Sequence, residues 1–210
     1  MNLVTILVTR SKACHIKTLH SVLKMNIRCI QNNFKNEIVY VEDDPYKKAE
    51  IVQHCMKLEN YDRIIFIDFG IGVDDLSLDQ CFLKHEHIGC LVFPGVKEGI
   101  DWDMFKNKVN NNVDEPYSQM GLHFDTEVGK KIDDDIYHVI RTNARAWIMN
   151  PKNVMKTLNK HKDSKVSPKM FEKFTQQGVK LYAFTASKLT INYTHECISS
   201  ILNAAGVKVN

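Results

Sequence analysis

Short runs of apolar residues alternate with segments of helical spacing along the first third of the chain. The runs cover residues 3–8, 37–41 and 63–67, and the first and third are apolar on both faces, as is typical of strands buried in a parallel sheet. Between them, apolar residues recur every three or four positions: Ala13, Ile16, Leu19, Leu23, Ile27, Ile30 and Phe34, and then, from about Tyr46, Ala49, Val52 and Met56. The order strand, helix, strand, helix, strand predicts a parallel sheet with right-handed crossovers.

The second half of the chain continues this pattern less regularly. We predict strands at residues 88–93, 144–149 and 179–184, and helices at residues 76–83, 151–158, 169–177 and 196–205. Residues 94–137 have weak periodicity, so we expect loops with short elements that form part of a substrate site, and a mobile loop at 107–112. Together the elements predict one α/β domain over residues 1–210, with a mostly parallel central sheet and helices on both faces.

Composition narrows the class of partner. The chain has 210 residues, of which 44% are hydrophobic and 25% charged, as in an ordinary globular domain. Its formal net charge of +3 is too small to indicate nucleic acid. No segment approaches the roughly 20 apolar residues that membrane insertion needs. The six cysteines form no C-x-x-C pair and lie mostly in apolar stretches, which favours reduced thiols and a cytoplasmic location.

Polar residues follow the first predicted strand, at the end where an open parallel sheet binds its ligands. They are Thr9, Arg10, Ser11 and Lys12, and a predicted helix comes after them. A helix N-terminus with two cations suits the diphosphate of a nucleotide. The alternative is that Thr9 or Ser11 caps the helix and the two cations lie on the surface.

An acidic cluster follows the second predicted strand. Glu42, Asp43 and Asp44 are followed by Pro45 and the second predicted helix. Their carboxylates could accept hydrogen bonds from a base or from ribose hydroxyls, and they could equally cap the helix. The residue types alone leave both alternatives open.

A further carboxylate, Asp68, directly follows the buried third strand. A cation and a diphosphate would meet at this position, and oxygen ligands of this kind suit Mg²⁺ or Mn²⁺. The alternative is that Asp68 forms a turn before Gly70 and Gly72. Asp74 and Asp75 come next, and they either cap the helix predicted at 76–83 or contribute to the same site.

Four signatures of other enzyme classes are absent from the sequence. There is no G-x-G-x-x-G after the first strand, no P-loop, no G-x-S-x-G elbow and no H-E-x-x-H spacing. These absences argue against a dinucleotide-binding Rossmann enzyme, a P-loop NTPase, an α/β-hydrolase and a zinc site of that type.

The order of these features resembles the glycosyltransferases of the GT-A (Rossmann-like) fold. The resemblance is carried by the Thr-Arg pair after the first strand, the acidic cluster after the second and F-I-D at residues 66–68. It implies a nucleotide-sugar donor, a UDP-sugar by preference, whose diphosphate is bridged by Mn²⁺ or Mg²⁺ on an Asp-x-Asp motif. Asp68 matches the first Asp, Gly70 replaces the second, and Asp74 or Asp75 could substitute for it.

Two later segments extend the resemblance. RAWIMNPKNVMKTL at residues 145–158 is similar to a strand and helix on the acceptor side, and FEKFTQQGVKLYAF at 171–184 is similar to the late helix and strand. The Y-T-H-E that follows places His195 where the family completes its metal site. Ser167 and Pro168 replace the family's acidic pair, so that motif supplies no catalytic base.

The central segments VKEGIDWDMF at 96–105 and EPYSQMGLHFDTEV at 115–128 are similar to glycosyltransferase domains of large DNA viruses of algae, including chlorella-virus enzymes that glycosylate the major capsid protein. The resemblance therefore implies a glycan or glycoprotein acceptor, such as a viral capsid protein, and a location in the host cytoplasm. It also leaves open that the chain is one domain of a longer enzyme.

Two hypotheses of function follow. The first is a glycosyltransferase in which Arg10 or Lys12 and a cation neutralise the leaving diphosphate and a carboxylate deprotonates the acceptor. The candidate catalytic residues lie in the central segments and are Asp101, Asp103, Asp125 and Glu127. The second is a nucleotide-binding or scaffold domain that has lost catalysis, which Gly70 and the missing acidic pair favour.

Overall fold

The structure is a computed structural model that describes residues 1–58, 60–83, 88–97, 99–114, 117, 119–161 and 165–191. The helices of these ranges are α1 (Ile16–Gln31), α2 (Pro45–Lys57), α3 (Asp75–Gln80), α4 (Trp102–Asn110), α5 (Pro151–Lys160) and α6 (Met170–Gln176). The strands are β1 (Asn2–Thr9), β2 (Lys35–Glu42), β3 (Arg63–Ile67), β4 (Ile71–Gly72), β5 (Cys90–Phe93), β6 (Thr126–Asp133), β7 (Ile136–Thr142), β8 (Ala146–Met149), β9 (Leu181–Phe184) and β10 (Thr190–Ile191).

Eight strands form one central sheet in the order β2-β1-β3-β8-β5-β9-β7-β6. β1 pairs in parallel with both β2 and β3, which confirms that the first three predicted strands are adjacent and parallel. β8 is antiparallel to β3 and β5, and β7 is antiparallel to β9 and β6, whereas β5 and β9 are parallel. Six of the eight strands therefore share one direction.

Helices cover both faces of the sheet because the side chains of β1 alternate between two cores. Leu3 and Leu7 belong to a core with residues of α1 and α3, whereas Val4, Ile6 and Val8 belong to a core with residues of α2, α5 and α6. Every one of these side chains is fully buried, as expected for a strand covered on both faces. The predicted α/β class, with a mostly parallel sheet and helices on both faces, is confirmed.

Helix α1 buries a different face from the one that its apolar spacing predicts. Ile16, Leu23, Ile27 and Ile30 are between 50% and 76% exposed. The buried residues of α1 are Thr18, Ser21, Val22, Met25 and Cys29. The Ser21 hydroxyl accepts a hydrogen bond from the Val73 N–H at 2.8 Å, and the Thr18 hydroxyl donates to the Asp68 carbonyl at 3.3 Å. Polar side chains face inward here because they satisfy backbone groups of the loop after β3.

Residues 94–137 contain more regular structure than predicted. α4 begins after Asp101, whose carboxylate accepts a hydrogen bond from the Met104 N–H at 2.8 Å. It includes residues 107–110, so the expectation of a mobile loop over 107–112 is wrong for most of that run. β6 and β7 then form an antiparallel pair in which most β6 side chains are exposed. A strand with solvent near both faces shows no alternation of apolar and polar residues, so the hydrophobicity pattern did not predict β6.

Three other expectations concern the C-terminal residues, the cysteines and membrane insertion. The predicted helix at 196–205 and His195 lie outside the described residues. The five described cysteines are free and four are buried, and burial raises the pKa of Cys29 and Cys55 to about 11. None of the helices in the described part of the chain has the length and apolar character that a membrane crossing requires.

Candidate functional site

The carboxyl ends of β1, β2 and β3 meet at one edge of the sheet. The Asp43 N–H donates a hydrogen bond to the Thr9 carbonyl at 2.9 Å, and the Thr9 hydroxyl donates to the Val41 carbonyl at 3.1 Å. The residues after β1 and β2 are therefore in direct contact, as the parallel register requires. This edge is where ligands bind in open α/β sheets.

A tight turn follows β1 and separates it from α1. The backbone N–H and carbonyl groups of Arg10 and Ala13 bond to each other at 2.9 and 2.8 Å. Between them, Ser11 and Lys12 adopt the left-handed backbone conformation, at φ 47° and 63°, which is uncommon outside glycine. His15 is the N-cap of α1, so neither Thr nor Ser of the strand end caps the helix.

Arg10, Asp43, Lys48 and Asp68 form a chain of ion pairs across this edge. Arg10 and Lys48 both pair with Asp43, and Lys48 Nζ also donates to Asp68 Oδ1 at 2.8 Å. Burial disfavours the charged form of Asp43, but hydrogen bonds from Lys48 and Arg10 outweigh it and lower the pKa of this carboxyl. The Arg10 guanidinium lies 4.7 Å from the centroid of the Phe69 ring, so an aromatic face holds it in place.

The loop after β3 holds Asp68 rigidly. Its backbone N–H donates to the Arg145 carbonyl at 2.9 Å, and its Oδ1 accepts the Phe69 N–H at 2.9 Å. Gly70 follows with φ 79°, a conformation that favours glycine. Asp68 is thus a turn residue, as one alternative proposed, and its carboxylate also faces Lys48.

The acidic residues proposed as cation ligands do not form a group. Asp74 is at the N-cap position of α3, where its carboxylate accepts hydrogen bonds from the Ser77 hydroxyl and the Lys188 N–H. Asp75 pairs with Lys24 and Arg28 on α1. In the described ranges no three His, Cys, Asp or Glu side chains cluster in a way that could hold a metal ion. The described residues therefore supply no such group for a divalent cation, and His195 lies outside them.

A cavity of about 200 Å³ opens beside Lys48 and Asp68. The polar side chains of its wall include Lys48, Asp68, Asn143 and Arg145, and the apolar ones include Trp147 and Phe171. The Arg145 Nη2 is buried and has no hydrogen-bond partner in the described part of the protein. A buried guanidinium N–H without an acceptor is costly, so this atom marks a place where an added acceptor would be stabilised.

Asp125 lies in a second cleft, of about 350 Å³, next to this cavity. Its Oδ1 accepts hydrogen bonds from the Gly95 N–H at 3.0 Å and the Thr126 hydroxyl at 2.8 Å. Its Oδ2 is buried without a partner among the described residues, and burial raises the pKa of this carboxyl. Asn143 lines both the cleft and the cavity, and its N–H donates to the Asp125 carbonyl at 2.9 Å.

The other three catalytic candidates have different surroundings. Asp101 caps α4, and its Oδ2 lies 3.0 Å from His123 Nε2. Hydrogen bonds from the Met104 N–H and from His123 lower the pKa of this carboxyl. Asp103 is exposed on the first turn of α4, and Glu127 is exposed on β6, where it lines the Asp125 cleft. Asp125 alone among the four combines burial with an unpaired oxygen.

The remaining nucleotide-binding candidates lie at the periphery of the sheet edge that the ends of β1, β2 and β3 form. Asp44 caps α2 by accepting the Tyr46 and Lys47 N–H groups at 3.0 and 2.8 Å. Glu42 is exposed and pairs with Lys47. Lys12 is exposed in the turn after β1. Of the acidic cluster, Asp43 is the member that belongs to the chain of ion pairs with Arg10, Lys48 and Asp68.

Sequence patterns missed Lys48, Asn143 and Arg145. Lys48 lies on α2, and Asn143 and Arg145 directly precede the buried strand β8, so none follows a strand of the first β-α-β unit. The signal that could have located the last two is their position before an apolar run, since antiparallel pairing brings the residues before β8 to the same edge of the sheet as the residues after β3.

Comparisons with known proteins find likeness in structure only. No protein-family model matches the sequence, and a search of curated proteins found no match. A197 from STIV is 8% identical, with a TM-score of 0.54, over 92% of this chain and 86% of that one. GalNAc-T7 with UDP, GalNAc and Mn²⁺ is 11% identical, with a TM-score of 0.50, over 93% of this chain and 44% of that one.

A third structure, 4-diphosphocytidyl-2C-methyl-D-erythritol synthase from Anaerococcus prevotii, is 11% identical over 97% of this chain and 94% of that one, with a TM-score of 0.45. The TM-score of the third structure is below 0.5, so only the first two likenesses bear on the fold. The chain therefore has a fold like that of GT-A glycosyltransferases.

Proposed function

We propose that the chain is a glycosyltransferase that moves a sugar from a nucleotide-sugar donor to the hydroxyl of a glycan or glycoprotein acceptor. The observation that carries the proposal is the junction of two cavities at Asn143. One cavity contains Lys48 and Arg145, which suit the anionic part of a donor. The other contains Asp125, which suits the acceptor hydroxyl.

The nucleoside end of the donor belongs, in this proposal, beside Thr9, Arg10 and Asp43. Asp43 is an acceptor for base N–H or ribose hydroxyl groups, and Arg10 is a charged donor already stacked on Phe69. Glu42, Asp44 and Lys12 would contribute at the rim. A UDP-sugar is the preferred donor, which the GT-A resemblance implies and which is consistent with the UDP bound in GalNAc-T7.

Asp125 is the proposed general base. The acceptor oxygen attacks the anomeric carbon, its proton passes to Asp125 Oδ2, and the bond from that carbon to the phosphate oxygen breaks with the electron pair leaving on the nucleoside diphosphate. This sequence inverts the anomeric centre. A carboxylate with one oxygen fixed by the Gly95 and Thr126 donors and the other unpaired is suited to that proton transfer.

The Mn²⁺ or Mg²⁺ implied by the resemblance has no assigned step here. Asp68 pairs with Lys48, and among the described residues no three His, Cys, Asp or Glu side chains form a group that could hold a metal ion. GalNAc-T7 was solved with Mn²⁺, which is a property of that protein.

A second candidate is a nucleotide-binding domain without transferase activity, which Gly70 in place of the second Asp and the missing acidic pair at Ser167 and Pro168 favour. One experiment distinguishes the two candidate functions. Purified protein is screened by thermal shift with UDP-, GDP- and dTDP-sugars, with and without Mn²⁺, and each donor that binds is then followed for hydrolysis and for transfer to glycan acceptors. Binding with neither hydrolysis nor transfer would favour the second candidate. A viral capsid glycoprotein is the acceptor that the resemblance suggests testing first.

Arg10→Ala should weaken UDP binding by about 1–3 kcal/mol, because it removes a charged hydrogen-bond donor from the proposed nucleoside site. Isothermal titration calorimetry measures the change. Lys35→Ala is the control, since Lys35 is an exposed cation at the start of β2, the opposite end of the strand that leads to Asp43. Equal affinities for wild type and Arg10→Ala would remove Arg10 from the site.

A further inference from the structure

The position expected for a divalent cation is occupied by a side chain of the protein. The Lys48 ammonium bridges Asp43, after β2, and Asp68, after β3. Both carboxylates and the lysine are about four-fifths buried, so solvent screens these pairs less than it would at the surface. A divalent cation that used Asp68 Oδ1 as a ligand would compete with Lys48 for that oxygen and would lie close to its positive charge, which is unfavourable.

Lys48 and Arg145 line the same cavity, and each retains hydrogen-bonding capacity. An ammonium has three donors, and in the described structure Asp43 and Asp68 use two of those on Lys48. The Arg145 Nη2 is buried without an acceptor. Arg10, Lys48 and Arg145 lie near Asp43 and Asp68 at this edge, and Arg145 also interacts electrostatically with Asp125 in the adjoining cleft. An anion with several acceptor oxygens would use the donors that Lys48 and Arg145 retain.

We propose that the diphosphate of the donor binds Lys48 and Arg145 directly and needs no divalent cation. This inference rests on the proposed function and adds the residues that hold the leaving group. Charge-assisted hydrogen bonds from a guanidinium and an ammonium to phosphate oxygens supply the stabilisation that a cation supplies elsewhere. Asp43 and Asp68 then have the role of positioning Lys48.

The first test uses wild-type protein. UDP, GDP and dTDP are titrated by calorimetry into protein treated with EDTA and, in parallel, into protein with excess Mn²⁺. We expect the best of the three to bind with affinities that agree within about threefold in the two conditions, a difference below 1 kcal/mol. Binding that appears only with Mn²⁺ would overturn this inference and leave the proposed function intact. If none binds in either condition, the proposed function itself is wrong.

The second test removes the cations one at a time. Lys48→Ala and Arg145→Ala should each weaken binding in EDTA by about 10–100-fold, the range for a hydrogen bond to a charged group. Lys152→Ala is the control, because Lys152 is exposed and pairs with Asp62 at the opposite edge of the sheet. Affinities for both cavity variants equal to that of the control would overturn the inference.

The third test uses Mn²⁺ alone and needs no nucleotide. Lys48→Ala leaves Asp43 and Asp68 without their shared cation, so the variant should bind Mn²⁺ at least about tenfold more tightly than wild type, because carboxylate oxygens are freed as ligands. Electron paramagnetic resonance of free Mn²⁺ measures both affinities. If wild type binds Mn²⁺ as tightly as the variant does, Lys48 does not prevent a cation from binding at Asp43 and Asp68, and the inference is wrong.

Discussion

Asp125→Asn is expected to reduce sugar transfer by about 10²–10⁴-fold, the contribution of a positioned general base. The amide keeps an oxygen for the Gly95 N–H and the Thr126 hydroxyl, so the local fold and the affinity for UDP should persist. The loss should therefore appear in kcat and not in nucleotide affinity, which calorimetry on the same variant measures.

The pH dependence of wild type provides an independent check on Asp125. Burial raises its pKa, and a base works only when ionised, so activity should be lost on acidification at a higher pH than an ordinary carboxyl would give. Asp134→Asn, at a fully exposed position between β6 and β7, is the control and should keep wild-type activity. Transfer by Asp125→Asn within about tenfold of wild type would mean that another group is the base.

Trp147→Ala should lower the free energy of unfolding by about 3–5 kcal/mol, the range for removal of a buried aromatic side chain. The Trp147 side chain is fully buried on β8. Its ring stacks on Phe66, with centroids 5.0 Å apart and planes at 2°, and meets the Phe171 ring edge-on at 6.1 Å. It therefore joins the sheet to α6 and forms a wall of the cavity beside Lys48 and Asp68. Guanidinium unfolding followed by circular dichroism measures the loss.

Two variants calibrate the Trp147 result. Trp147→Phe keeps a ring that can stack on Phe66 and should lose less stability than Trp147→Ala. Trp102→Ala removes a half-buried indole of α4 that contacts Phe105, and it should also cost less. A loss below about 1 kcal/mol for Trp147→Ala would show that the core around β8 does not depend on this ring.

Part of the candidate site was predictable because strand ends are visible in a sequence. Thr9, Arg10, Asp43 and Asp68 each follow an apolar run, and parallel pairing brings such positions to one edge. Asp125 could be proposed only as one of four acids. Its distinction is a buried, unpaired oxygen, and burial of a loop carboxylate depends on Gly95 and Asn143, which are distant in sequence.

The face of α1 shows where pattern reasoning failed. Its apolar residues every three or four positions indicated a buried stripe, but Ile16, Leu23, Ile27 and Ile30 of that stripe are exposed and the helix presents Thr18 and Ser21 inward. The two hydroxyls bond to backbone groups of Asp68 and Val73. The need to satisfy a loop's backbone is invisible to a hydrophobicity pattern, because it arises only when the loop and the helix are in contact.

The sequence by itself determined the class of fold and the order of its first five elements, because strands buried on both faces must be uniformly apolar and the helices between them impose parallel pairing. Tertiary structure alone decided which charges meet. Lys48 reaches Asp68 from one face of α2, and Arg145 lies beside Asp68 because β8 pairs with β3 in the centre of the sheet. Electrostatic interaction depends on distance in space, and that distance is fixed by strand order, which local residue patterns do not encode.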